Sequence, residues 1–139
     1  MYEFLKGSPK VIIDLPSGLF SFQRQSAAGK TYLASQLRML RGLGEPVDSY
    51  TVEDLRRGGI YQALTAADYT AWDLKVVLLD RYDLYTQKFD DEIYRLSKTC
   101  TVLIDCKGRS YLTGVHDCRI RRDASTLEVY RYGVRIRGQ

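Results

Sequence analysis

The sequence predicts one α/β domain: a mainly parallel sheet with flanking helices, and an antiparallel hairpin from the last third of the chain added at the sheet edge. Two continuous apolar runs predict the parallel core, residues 75–79 (KVVLL) and 101–104 (TVLI), followed by Asp80 and Asp105. Strands buried on both faces read this way, because neither face can be polar. Ahead of the first run Leu33, Leu37 and Leu40, and between the two runs Phe89, Ile93 and Leu96, keep a helical spacing. Strand and helix therefore alternate, and right-handed crossovers should join the parallel strands.

Residues 10–16 (KVIIDLP) are β-branched and bounded by Pro16-Ser17-Gly18, and the next four alternate again. A short hairpin is expected, its second strand running into the loop from Gln23 to Thr31. The helix that follows should stop at Gly42 and Gly44, with Pro46 beyond. Residues 47–52 read as a second strand. Thr51 with Asp54 is a capping signal for a short helix before Gly58-Gly59, and 60–69 reads as helical. Toward the end of the chain, 118–122 and 126–136 alternate around the turn Asp123-Ala124-Ser125, which predicts the hairpin.

With 139 residues, the chain has the length of a single domain spanning 1–139 and can bury a core without staples. Hydrophobic residues make up 45% and charged residues 27%, a balance that excludes a disordered chain. The three cysteines, Cys100, Cys106 and Cys118, lack CxxC spacing and leave one unpaired, so a reducing compartment is expected. No apolar run is long enough for a bilayer and MYEFLKGSPK is unlike a signal peptide, so the expectation is a cytoplasmic, unprocessed protein with no membrane partner. The net charge of +4 is uneven. Up to Cys106, 13 Lys and Arg face 14 Asp and Glu, whereas from Lys107 onward 8 face 3.

Chemistry concentrates in Arg24-Gln25-Ser26-Ala27-Ala28-Gly29-Lys30-Thr31, between a strand and a helix. A phosphate chain is stabilised by backbone amides that lead into a helix N-terminus. Ser26, Ala27, Ala28 and Gly29 allow the close approach, Lys30 can reach the β- and γ-phosphates, the Thr31 hydroxyl can join a magnesium shell, and Tyr32 adjoins the site. Asp80, fifty residues beyond Lys30, ends a buried strand where it can hold the same metal through water.

These residues resemble the P-loop NTPases, whose loop is GxxxxGK[ST], within that superfamily a small AAA-like ATP-binding domain. Arg24 stands where the pattern has its first glycine. The resemblance implies a P-loop fold that binds ATP and Mg²⁺, with Lys30 and Asp80 as catalytic residues and Thr31 and Asp80 at the metal. Arg81 follows the strand-terminal aspartate where many members have a glutamate. An arginine cannot act as a general base at neutral pH, so Asp83 or Asp105 would take that place. The resemblance thus implies slow or partner-stimulated hydrolysis, with Arg56, Arg57, Arg81 or Arg95 available as fingers in a homo-oligomer.

The basic end of the chain carries a second expectation. Arg119, Arg121, Arg131, Arg135 and Arg137 occupy odd positions, so they can form a stripe bordered by tyrosines that grips a nucleic-acid backbone. A protein acting through that surface on a protein or nucleic acid, such as a phage or mobile-element inhibitor of the anti-CRISPR kind, is the alternative to an enzyme. His116 lacks a partner nucleophile and is expected to be a loop residue.

Overall fold

The computed structural model of the chain describes residues 1–22, 29–51, 74–80, 90–105 and 112–133. Among them are β1 (Tyr2–Phe4), β2 (Lys10–Asp14), β3 (Gly18–Ser21), α1 (Lys30–Gly42), β4 (Val47–Tyr50), β5 (Val76–Leu79), α2 (Asp90–Leu96), β6 (Thr101–Ile104), β7 (His116–Arg122) and β8 (Thr126–Arg131). The strands form one sheet in the order β1-β2-β8-β7-β3-β6-β5-β4. Neighbours β3–β6, β6–β5, β5–β4, β3–β7 and β2–β8 run parallel, whereas β1–β2 and β7–β8 run antiparallel.

This architecture overturns the expected mainly parallel, helix-flanked, P-loop-like sheet. Strands make up 41% and helices 22% of the described residues, and the sheet is mixed and curls into a half-barrel. Apolar runs reveal that a strand is covered, but they carry no information on the direction of its neighbours. The hairpin is also not at the edge: β8 lies between β7 and β2, and the edges are β1 and β4. Nor do β2 and β3 pair with each other. Thr101 donates its hydroxyl to the Pro16 carbonyl at 2.9 Å and Gly18 donates its amide to the Cys100 carbonyl at 3.1 Å. These bonds tie the start of β3 to the start of β6, and Gly18, with φ +145°, sits in backbone space that side chains avoid.

Alternation along each strand sorts the core into two layers. On one face, α1 lays Leu33, Leu37 and Leu40 over Phe20, Phe22, Leu78 and Leu103, and the same layer continues under β2 and β8 through Val11, Ile13, Leu127 and Val129. On the other face, Ile93 and Leu96 of α2 cover Leu19, Val77, Leu79, Val102 and Ile104. The four residues of β5 and the four of β6 are all buried, which is why their sequences are apolar throughout. Each fully buried aliphatic side chain contributes about 1.5–3 kcal/mol.

Helix α1 begins after Gly29, whose carbonyl accepts the Leu33 amide at 2.8 Å. It ends where Gly44, at φ +92°, turns the chain left-handed and donates to the Arg41 carbonyl at 3.0 Å. Between β7 and β8 the Asp123 carboxylate accepts the amides of Ser125 and Thr126, both at 2.9 Å. Those donors, that of Ser125 foremost, hold its carboxyl below the usual range. No helix among the described residues is long and apolar enough to cross a membrane.

Candidate functional site

Register places the chemistry-bearing residues. Ser21 pairs with Ile104, Ile104 with Leu79, and Leu79 with Tyr50, so β3, β6, β5 and β4 end in step. The next residue of each strand bonds its neighbour's last carbonyl: Phe22 to Ile104 at 3.3 Å, Asp105 to Leu79 at 3.0 Å, and Asp80 to Tyr50 at 2.8 Å. Asp105 and Asp80 thus stand side by side at the carboxyl ends of adjacent parallel strands, with backbones roughly 4.8 Å apart. Alternation turns both toward the face covered by α1, because Ile104 and Leu79 point to the α2 layer.

The amino end of α1 meets this row. Gly29 is left-handed, at φ 92° and ψ −23°. An added Cβ would lie 3.5 Å from Ile120, an ordinary contact, so the backbone conformation and not space calls for glycine. The helix has no side-chain cap and no acidic residue in its first turn. Lys30, its first residue, extends Nζ to within 2.9 Å of Asp105 Oδ1, with both side chains about nine-tenths buried, at 11% and 12% exposure. An ion pair at this depth needs its geometry kept, since removing either partner leaves a charge with little water.

Thr31 is exposed beside the pair. Tyr32 is partly buried against the core, and the Arg122 guanidinium lies over its ring at 4.1 Å. That contact adds a cation near the start of α1 that periodicity does not reveal, because it depends on where β7 passes the helix.

The fold therefore brings Lys30 onto Asp105, with Gly29 and Thr31 flanking Lys30 in the chain and Asp80 following the strand next to the one that Asp105 follows. Ser26, Ala27, Ala28 and Asp83 lie outside the described residues, as do Arg24, Arg56, Arg57 and Arg81. Among the described residues no group of three or more His, Cys, Asp or Glu forms a metal site. The donors present, two carboxylates and a hydroxyl, are hard oxygens, which suits Mg²⁺ completed by phosphate oxygens and water.

The arginine stripe is divided. Arg119 pairs with Tyr130 and Arg121 with Glu128, whereas Arg131 stands opposite Cys118, a core residue. Side chains directly across a pair share a face, so Arg131 is on the opposite side of the sheet from Arg119 and Arg121. Arg119 lies over the Tyr132 ring at 3.9 Å and Arg121 over Tyr130 at 4.5 Å. Arg121 also bonds Glu128 at 2.8 Å, and that bond raises its pKa. Arg135 and Arg137 lie outside the described residues. His116 is no loop residue but the first of β7; its Nδ1 lies 3.0 Å from an Arg131 nitrogen.

Cys100 and Cys118 are free and buried. Burial pushes the Cys100 thiol up to about 12 and the Cys118 thiol higher still, so both stay protonated near neutrality. Comparison with protein-family models, curated proteins and solved structures finds no match to the chain.

Proposed function

We propose that the chain binds a magnesium–nucleoside triphosphate, ATP foremost, where α1 meets the carboxyl ends of β3, β6 and β5. The observation that carries this reading is the contact of Lys30 with Asp105, on the strand next to the one that ends in Asp80. One ammonium rests on Asp105, beside the strand that ends in Asp80, an arrangement that can accept a polyanion bringing its own cation. With a triphosphate bound, Lys30 would exchange Asp105 for a phosphate oxygen, the first amides of α1 would donate to the phosphate, and Thr31 and Asp80 would supply oxygens to Mg²⁺. Asp105, released, can then accept a proton from water. Arg81, next to Asp80, cannot do so, and turnover is slow or waits on a partner. The kinship with P-loop NTPases rests here on these residues and not on the overall sheet.

A thermal-shift titration with Mg²⁺-ATP and Mg²⁺-GTP tests the reading. At a hundredfold excess over Kd, the wild type should gain about 2.7 kcal/mol. Lys30→Ala should gain almost nothing, and Asp80→Asn should lose the magnesium dependence. Equal stabilisation of wild type and Lys30→Ala would end the proposal.

A second reading draws on the arginine–tyrosine pairs of β7 and β8, on the sheet face away from α1. There the protein would act without catalysis, holding a nucleic acid or another protein. Nonspecific DNA retention that falls steeply with salt, and that falls further in Arg119→Ala, supports it. Retention unchanged in Arg119→Ala and Arg121→Ala counts against it.

A further inference from the structure

At the opposite end of β3 from Lys30, roughly 13 Å along the strand, lies a pocket of about 260 Å³ between the starts of β3 and β7 and the end of α2. Ser17, Gly18, Tyr94, Gly114, His116 and Arg131 are among the described residues that line it, and none of the described lining residues carries a carboxylate. We propose that this pocket binds the phosphate of a small phosphomonoester, with Arg131 as its cation.

Arg131 sets the chemistry. Guanidinium has no acceptor, so in its 3.0 Å contact with His116 Nδ1 it is the donor and the histidine the acceptor. Neutral His116 then carries its proton on Nε2 and becomes a second donor. The ring is steadied by Phe20, whose centroid lies 5.9 Å away. Ser17 adds a hydroxyl, and Gly114, at φ +71°, turns the backbone of the pocket wall left-handed.

On the α2 side the wall is fixed. The Tyr94 hydroxyl accepts the Thr113 amide at 2.9 Å and donates to the Thr113 carbonyl at 3.0 Å. Ser97 donates its hydroxyl to the Tyr94 carbonyl at 2.7 Å. An arginine, a histidine and a serine line one small space, and guanidinium, imidazole and hydroxyl donors suit a tetrahedral dianion. The volume is on the scale of a small ligand.

The test is a titration of the ¹⁵N-labelled protein with sodium phosphate at constant ionic strength, followed by the amides of Gly18 and Gly114, with acetate in parallel. Both amides should shift saturably with phosphate and at least about tenfold more weakly with acetate. Arg131→Gln should weaken binding about tenfold or more, Arg131→Lys less, and His116→Phe measurably. Lys30→Ala should leave these shifts within about twofold, which separates this pocket from the nucleotide site. Four results would each overturn the proposal: no saturable shift, equal response to acetate, undiminished binding in Arg131→Gln with core amides unchanged, or loss of the shifts in Lys30→Ala.

Discussion

The two halves of the sheet are built differently. In β5 and β6 all eight side chains are buried, because α1 covers one face and α2 the other. In β2 and β8 burial alternates: Val11, Ile13, Leu127 and Val129 enter the core while Lys10, Asp14, Glu128 and Tyr130 do not. The doubly covered half ends in the paired Lys30 and Asp105, the singly covered half in salt-bridged and stacked charges near water. A charge at the first rim is fixed by burial, and a charge on the second face is shared with solvent. The buried ion pair therefore belongs to the covered half, and tolerance of change to the open face of β2 and β8.

The largest effect should come from Leu78→Ala, fully buried in β5. It should cost about 2–5 kcal/mol by denaturant unfolding. Ile12→Ala, half-buried on the open face of β2, should cost clearly less. Equal costs would show that the two halves are not distinct in packing.

Next comes the ion pair. Asp105→Ala strands the Lys30 ammonium and should cost about 3 kcal/mol, and Lys30→Met in the same background should recover part of it. A double-mutant cycle measures the coupling, and additive losses would show that the pair contributes nothing.

Thiol labelling sharpens the same contrast. Since burial raises both thiols, Cys100 and Cys118 should resist iodoacetamide at neutral pH in the folded protein and react fully in denaturant, as read by peptide mapping.

The smallest effects belong to the open half. Asp123 has a depressed pKa, so its contribution to stability is complete above its ordinary value of 3.8 and fades as pH falls through the lower folded value. Asp123→Asn should lower stability slightly at neutrality, where that contribution is complete, and flatten the acid limb of the stability curve below that pH. Glu128→Gln, which removes the partner of the exposed Arg121, should hardly move Tm and should lose even that effect in high salt.

Much of the local structure was legible. The leucine spacing found α1, the apolar runs found β5 and β6, and Asp123-Ala124-Ser125 marked the turn from β7 to β8. Each depends on residues near in sequence, where period and turn chemistry act directly. The short β1, with only Phe4 buried, left no such signal. The misread β2–β3 hairpin shows the limit of local signals: Pro16 to Gly18 signals a turn, but the bonds to Cys100 and Thr101 decide where the turn leads. At the site, glycine, lysine and the strand-terminal aspartates stood out by residue type. That Lys30 should rest on Asp105 did not, and neither did the pocket of His116 and Arg131.

By itself the sequence determined α1, β5, β6 and the turn between β7 and β8, because side-chain period, turn chemistry and the aversion of apolar groups to water act along the chain. The tertiary structure decided which strands are neighbours, which way they run, and hence which charges meet. Those outcomes depend on pairing between distant segments, and a backbone ladder bonds equally well whatever side chains it carries.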